Sequence, residues 1–192
     1  MREVTLEEIK NLAREAYWDL WNGARSLGRD VKLYIHWTGG RYNQTFGDYH
    51  INITGEGRCF ISTDNFAEVK NATYMRNTGS IAITLCCALD AIGPDNLGQY
   101  PPTEAQINAV SQVICVLADA LDLTIDAERV MTHAEAADNI DGLYTHDDYG
   151  PDSTCERWDL WVLREGEEPG TGGQQIRGNA NYYRHHKLLS DV

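Results

Sequence analysis

The spacing of hydrophobic positions changes several times along the chain, and each change marks an element. Ile9, Leu12, Ala13, Ala16, Leu20 and Ala24 recur at three- and four-residue steps, which predicts an amphipathic helix over residues 6–25. Thr5-Leu6-Glu7-Glu8 opens it as a capping box, and Gly28 and Asp30 close it. From Val31 to Trp37 the residues alternate in strand fashion and stop at Thr38-Gly39-Gly40, leaving His36 at the C-terminal end of a strand. Tyr49 to Ile53 and Cys59 to Ser62 read as a hairpin around Gly55-Glu56-Gly57. Residues 63–79 are polar, with Arg76-Asn77-Thr78-Gly79 as a loop, and Ser80 to Leu85 is apolar enough for a central strand buried on both faces.

Residues 90–102, with three prolines and two glycines, form a surface loop. Thr103-x-x-Gln106 is a second capping box, followed by Ile107, Val110, Val113, Ile114, Leu117 and Leu121 on one packed helix. Arg129 to Thr132 forms a short strand that delivers His133, and residues 138–156 are an Asp- and Gly-rich loop. Trp158, Leu160, Trp161 and Leu163 mark a short packed helix or turn. After that the composition shifts to Glu, Gly, Pro, Gln and Asn. This predicts a mobile linker over 165–181 and a docked segment from Tyr182 to Leu189. The organisation expected is one α/β domain over 1–164 with a linker and C-terminal tail over 165–192, and no internal repeat.

Composition mainly excludes. The chain of 192 residues carries a net charge of −13, the opposite of what gripping nucleic-acid phosphates requires, so no nucleic-acid partner is expected. No run approaches the ~18 apolar residues of a membrane span, and the acidic start M-R-E-V-T-L-E-E is not a signal peptide. Synthesis in the cytoplasm is therefore expected. The five cysteines form no C-x-x-C pair, and Cys86, Cys87 and Cys115 sit in apolar segments as small core residues.

The candidate chemistry centres on Met131 to Leu163. His133 follows a strand, and Asp159 sits in Arg157-Trp158-Asp159 within an aromatic patch. With His36, also at a strand end, they make two imidazoles and one carboxylate, the donor number of a catalytic zinc that keeps a fourth position for water. The spacing is wide, and the residues by themselves leave open two strand-end histidines with ordinary hydrogen bonds.

Six pieces occur in one order: I-H-W-T-G-G, D-Y-H-I-N-I-T-G-E-G-R, R-N-T-G-S-I-A-I, P-T-E-A-Q, V-M-T-H-A-E-A-A and R-W-D-L-W. In these the chain resembles, over about residues 31–163, the zinc-dependent N-acetylmuramoyl-L-alanine amidases, which include the phage lysozyme-type amidases and the peptidoglycan recognition proteins. The resemblance implies a central mixed β-sheet flanked by helices, with Zn2+ as cofactor and His36, His133 and Asp159 as its ligands. Cys155 is the alternative third ligand, although it lacks the basic residue two positions earlier that Asp159 has in Arg157. Arg157 stands where the family has an oxyanion-stabilising lysine. Tyr49 is similar to the tyrosine that phage-type members place beside the metal, and Glu135 is a candidate to hold a ligand by a hydrogen bond. His50, His146, Asp147 and Asp148 are groove-lining candidates or solvated loop residues, and His185 and His186 fall in the tail. Two positions depart from the pattern: Ala72 lies near a histidine of many relatives, and Thr84 replaces a glutamate that acts as general base in other branches.

The function so implied is cleavage of the amide between N-acetylmuramic acid and the L-alanine of the stem peptide. The alternatives are a non-catalytic peptidoglycan-binding module and a zinc peptidase acting on another stem-peptide bond. The expected partner is peptidoglycan and the expected state a monomer. The expected setting is a phage lysin reaching the cell wall through a holin, with a recycling enzyme or an exported effector as the other settings.

Overall fold

A computed structural model describes residues 1–143, 148–153 and 157–186. Its centre is a six-stranded mixed sheet: β1 (Arg2–Val4), β2 (Lys32–Trp37), β3 (Ile51–Ile53), β4 (Cys59–Ile61), β5 (Ser80–Leu85) and β6 (Val130–Thr132), in the order β1-β4-β3-β5-β2-β6. β2 runs parallel to both β5 and β6, β3 runs parallel to β5, and β4 is antiparallel to β3 and β1. The edge strand β1 has no counterpart in the sequence reading, because three residues with only Val4 buried carry no readable period.

Strand alternation divides the apolar residues between two faces. Leu33, Ile35, Ile81, Ile83 and Val130 join the main core. There they meet α1 (Leu6–Glu15), α3 (Glu104–Leu121) and α5 (Gly172–His186), with α3 packed between the other two. Tyr34 and Met131 turn to the opposite face and pack with Ala136 of α4 (His133–Ala137). Both capping boxes form: Thr5 with Glu8, and Thr103 with Gln106. Gln106 also anchors α3 to the sheet, donating to the carbonyls of Ile53 and Cys86 at 3.0 Å each.

Two expectations are corrected. The helix expected over 6–25 is two helices, α1 and α2 (Tyr17–Ser26), broken at Ala16. The turn brings Trp21 Nε1 within 3.1 Å of the Leu121 carbonyl at the end of α3 and seats Ala24 on the backbone of Gly79. Gly79 has φ +66°, and a Cβ there would lie 2.4 Å from Ala24 N. The second correction concerns 165–181: instead of a linker, α5 begins at Gly172 and buries Ile176 and Ala180 in the core. The aromatic stretch from Trp158 takes the turn alternative rather than the helix. No helix among the described residues is long and apolar enough to cross a membrane.

Candidate metal centre

The pairing of β2 with β6 explains why two residues 97 apart in sequence meet. Ile35 is in register with Thr132, so one step further places His36 opposite His133 on the face away from the main core. Thr132 ends its strand and caps α4, accepting from Glu135 N at 3.3 Å, so His133 is fixed as the first residue of a helix. Asp159 comes from the other direction. Trp158 packs edge-on against Trp37, with ring centroids 4.6 Å apart at 90°. Leu160 then adopts φ +60°, a left-handed turn that a branched side chain takes only when its surroundings hold it there.

The three side chains converge. His36 Nδ1 lies 3.1 Å from His133 Nδ1, and Asp159 Oδ2 lies 3.7 Å from the first and 3.4 Å from the second. All three residues are buried, and among the described residues they form the group of ligand atoms able to hold a metal ion, within 4.8 Å of one another. Two imidazole nitrogens facing each other and a carboxylate oxygen are three lone-pair donors directed at one point. A cation resolves that arrangement, so the donor set fits a metal.

Electrostatics agree with the geometry. Burial lowers the His36 pKa to about 4, outweighing the Asp159 hydrogen bond that raises it, so the ring is neutral at pH 7 and its lone pair is available. Burial alone would raise the Asp159 carboxylate, yet His133 and His36 beside it hold it well below the usual carboxylate range. Tyr49 is half-buried, its ring 5.2 Å from that of His36. Burial and the Asp159 charge push its phenol up to about 12, so it keeps its proton.

Thr73, a residue that sequence reasoning passed over, completes the setting. Its Oγ1 lies 3.0 Å from His36 Nε2. The loop that carries it is held by Asn77 Oδ1, which accepts from the backbone of Ala72 and Thr73, and by the buried Arg76. That guanidinium pairs with Asp141 at 2.9 Å and donates to Asn139 Oδ1 at 2.7 Å. The only sequence signal for Thr73 was its place in the loop before R-N-T-G.

The remaining candidates sort by position. Arg157 is exposed on the rim, where a cleft of about 380 Å³ lined by Trp37, Tyr49, His133 and Asp159 opens into a groove of about 1040 Å³ along Val69, Tyr74 and Met75. Ala72, His133 and Arg157 line both. Glu135 does not bond to either of the two histidines. Its carboxylate accepts from Thr132 N at 2.9 Å and pairs with Arg177 at 2.8 Å, so it acts on the helix rather than on the imidazole. His50 neither lines the groove nor meets solvent. It is buried, accepting from Ala82 N and donating to the Glu68 carbonyl. Asp148 is exposed and accepts from Asn139, and His185 and His186 are exposed at the end of α5. Cys155, His146 and Asp147 lie outside the described residues, as do positions 187–189 of the segment expected to dock. The described cysteines are buried free thiols whose pKa burial raises, to about 12 at Cys59 and Cys86, so they act as core residues rather than nucleophiles.

No protein-family model matches the chain, and no curated protein matches it. Among solved structures, the chain is similar to the Ph2119 endolysin from Thermus scotoductus MAT2119 bacteriophage Ph2119. The identity is 15% and the TM-score 0.42, over 55% of this chain and 72% of that one. It is also similar to the endolysine N-acetylmuramoyl-L-alanine amidase LysCS from Clostridium intestinale URNW, at 14% identity and a TM-score of 0.40, over 54% and 68% of the two chains. With overlap that loose, function has to be argued from the site itself.

Proposed function

We propose that this chain is a zinc-dependent peptidoglycan hydrolase that cuts the amide between the lactyl group of N-acetylmuramic acid and the L-alanine of the stem peptide. The observation that carries this is the convergence of His36 Nδ1, His133 Nδ1 and Asp159 Oδ2, with His133 and Asp159 lining a surface cleft. The ordered motifs from I-H-W-T-G-G to R-W-D-L-W, similar to those of the amidase family, supply the substrate class. Zinc bound by two imidazoles and one carboxylate supplies Lewis acidity and water activated at neutral pH, with a pKa of ~7.

The chain's own groups account for the rest. Thr73 Oγ1 accepts from His36 Nε2–H and so directs the Nδ1 lone pair at the centre. Arg157 on the rim brings a permanent positive charge to the oxygen that becomes anionic when the amide is attacked. Tyr49 stays protonated near neutral pH, which makes it a hydrogen-bond donor to the tetrahedral carbon's oxygen or to the departing amine rather than a base. Thr84 has no carboxylate to offer, and among the described residues lining the cleft Asp159 is the sole acid. The proton that the attacking water gives up is therefore passed to the departing amine, either through the Tyr49 hydroxyl, which takes it as it hands on its own, or through a water that Tyr49 orders. The groove that continues past His133 and Arg157 suits an extended polymer, which a compact metabolite would leave mostly unfilled. All of these groups come from one chain, so a monomer acting on the cell wall suffices.

The test is digestion of purified peptidoglycan with zinc-loaded protein and mass analysis of the products. Free stem peptides beginning at L-alanine, lost with His133→Ala, are expected. Intact glycan–peptide linkages in the presence of bound zinc would replace the enzyme with a peptidoglycan-binding module. Cleavage elsewhere in the stem would make it a zinc peptidase.

A further inference from the structure

The first turns of α5 lie between the two segments that carry His133 and Asp159, and they touch both. On the His133 side, Arg177 reaches across from α5 in a two-pronged pair with Glu135: Nη1 to Oε2 and Nη2 to Oε1, each at 2.8 Å. The side chains of this pair are only 12% and 9% exposed. Arg177 Nη1 also donates to the Val130 carbonyl of β6 at 3.0 Å. The same Glu135 Oε2 accepts from Thr132 N, closing the capping box on the helix whose first residue is His133. One guanidinium thus spans the strand–helix junction that presents the imidazole.

On the Asp159 side the contact is backbone to backbone. The amides of Gly170 and Gly172 both donate to the Trp161 carbonyl, at 3.0 and 3.1 Å. A Cβ on Gly172 would fall 1.8 Å from the carbonyl oxygen of Leu160, the left-handed residue directly after Asp159. A Cβ on Gly173 would fall 2.4 Å from Glu135 Oε2. Two consecutive glycines therefore let one helix start press against both segments at once. The far half of α5 docks by other means: Arg184 bonds to the Leu123 carbonyl at 2.8 Å and pairs with Asp119 at 2.9 Å, away from the three ligands.

We infer that α5 is a positioning element of the metal centre, in which Arg177 and the Gly172–Gly173 step set His133 relative to Asp159. This rests on the metal reading above. Removing Arg177 leaves the buried Glu135 carboxylate without its cation. The carboxylate must then turn toward water, which releases the cap at Thr132 and the first turn of α4. A methyl group at Gly173 displaces the same carboxylate from the other side.

The experiment measures zinc affinity by competition with a chromophoric chelator, the visible spectrum of the cobalt-substituted protein, and Tm, on the full chain. Arg177→Ala and Gly173→Ala are expected to weaken zinc binding by about 10–100-fold and to shift the cobalt spectrum. Arg177→Lys, with one donor point instead of a fork, should fall between. Arg184→Ala is the control: it loosens the far half of α5 and lowers Tm, with zinc affinity unchanged. If Arg177→Ala does not fold, Glu135→Gln asks the same question, because it keeps an acceptor for Thr132 N and drops the ion pair. Folded Arg177 and Gly173 variants with wild-type affinity and spectrum would overturn the inference. So would an Arg184→Ala loss as large as that of Arg177→Ala. A wild-type chain that binds no stoichiometric zinc overturns the metal reading and this inference together; wild-type binding with unaffected variants overturns this inference alone.

Discussion

Replacing Thr73 with valine removes one oxygen from the proposed metal centre and almost nothing else. His36 is fully buried, and its Nε2 faces Thr73 Oγ1 at 3.0 Å while its Nδ1 faces His133 and Asp159. For Nδ1 to offer a lone pair to a cation the ring proton must sit on Nε2, and the threonine oxygen is what accepts it there. Valine keeps the volume and the β-branch, so packing around this buried position is preserved. The metal-loaded state of Thr73→Val then carries a buried N–H without a partner, at about 1–3 kcal/mol. Since 1.4 kcal/mol is a factor of ten, zinc affinity is expected to fall by about 5- to 150-fold.

The metal-free protein escapes most of that cost, because its ring can move the proton to Nδ1, beside Asp159. Stability measured in chelator is therefore expected to change less than zinc affinity does. Chelator competition gives the affinity and urea denaturation the stability, with Thr73→Ser restoring the hydroxyl and most of the binding. Wild-type zinc affinity in Thr73→Val would refute the reasoning and assign the Nε2 proton to some other acceptor.

Three further outcomes are expected. Asp159→Ala abolishes stoichiometric zinc measured by metal analysis while Cys155→Ser retains it, and the reverse pattern would exchange the third ligand. Arg76→Ala strands the buried Asp141 carboxylate, which burial alone would raise and the guanidinium holds below its usual range. Urea denaturation should register a loss of about 3–5 kcal/mol, and a loss under about 1 kcal/mol would remove the pair from the account. Burial holds His50 neutral with its pKa lowered to about 4, against about 6.5 in the unfolded chain. Its contribution is therefore fully present above pH 6.5 and declines as pH falls toward 4, by up to about 3 kcal/mol. His50→Gln should flatten that part of the stability–pH curve, and an unchanged slope would count against the assignment.

The legible part of the fold was the part written in periods and caps. The two capping boxes, the Gly55-Glu56-Gly57 hairpin and the doubly buried strand at Ser80 each rest on a local rule and need no knowledge of neighbours. The break at Ala16 does not: Ile9, Ala13, Ala16, Leu20 and Ala24 would also suit one straight helix, and the bend comes from where Trp21 finds the end of α3 and Gly79 makes room. The three converging donors were reachable because strand ends are where parallel sheets deliver side chains: His36 is near the end of β2 and His133 directly follows β6. Tyr49 and Arg157, 108 positions apart in sequence, line the same cleft as His133 and Asp159.

What was lost in the sequence has one cause. Thr73, Arg177, Gly172 and Gly173 carry no signature, since threonine, arginine and glycine are ordinary in loops, and their importance lies in what they touch. A stretch such as G-T-G-G-Q-Q reads as a linker because glycine disfavours helix by about 1 kcal/mol, and with Ile176 and Ala180 as its buried apolar anchors the helix shows too thin a stripe to counter that. The same glycines are needed because a helix start must lie against the Leu160 carbonyl and the Glu135 carboxylate, where a side chain has no space. Helix cost and close contact are one requirement seen from two sides, and only the first can be read without coordinates. Residues that donate to a reaction advertise themselves by their chemistry, while those that aim the donors do so by contact. A centre inferred from a sequence will therefore be understated on its supporting side, and here that side is the loop of Thr73 and the start of α5.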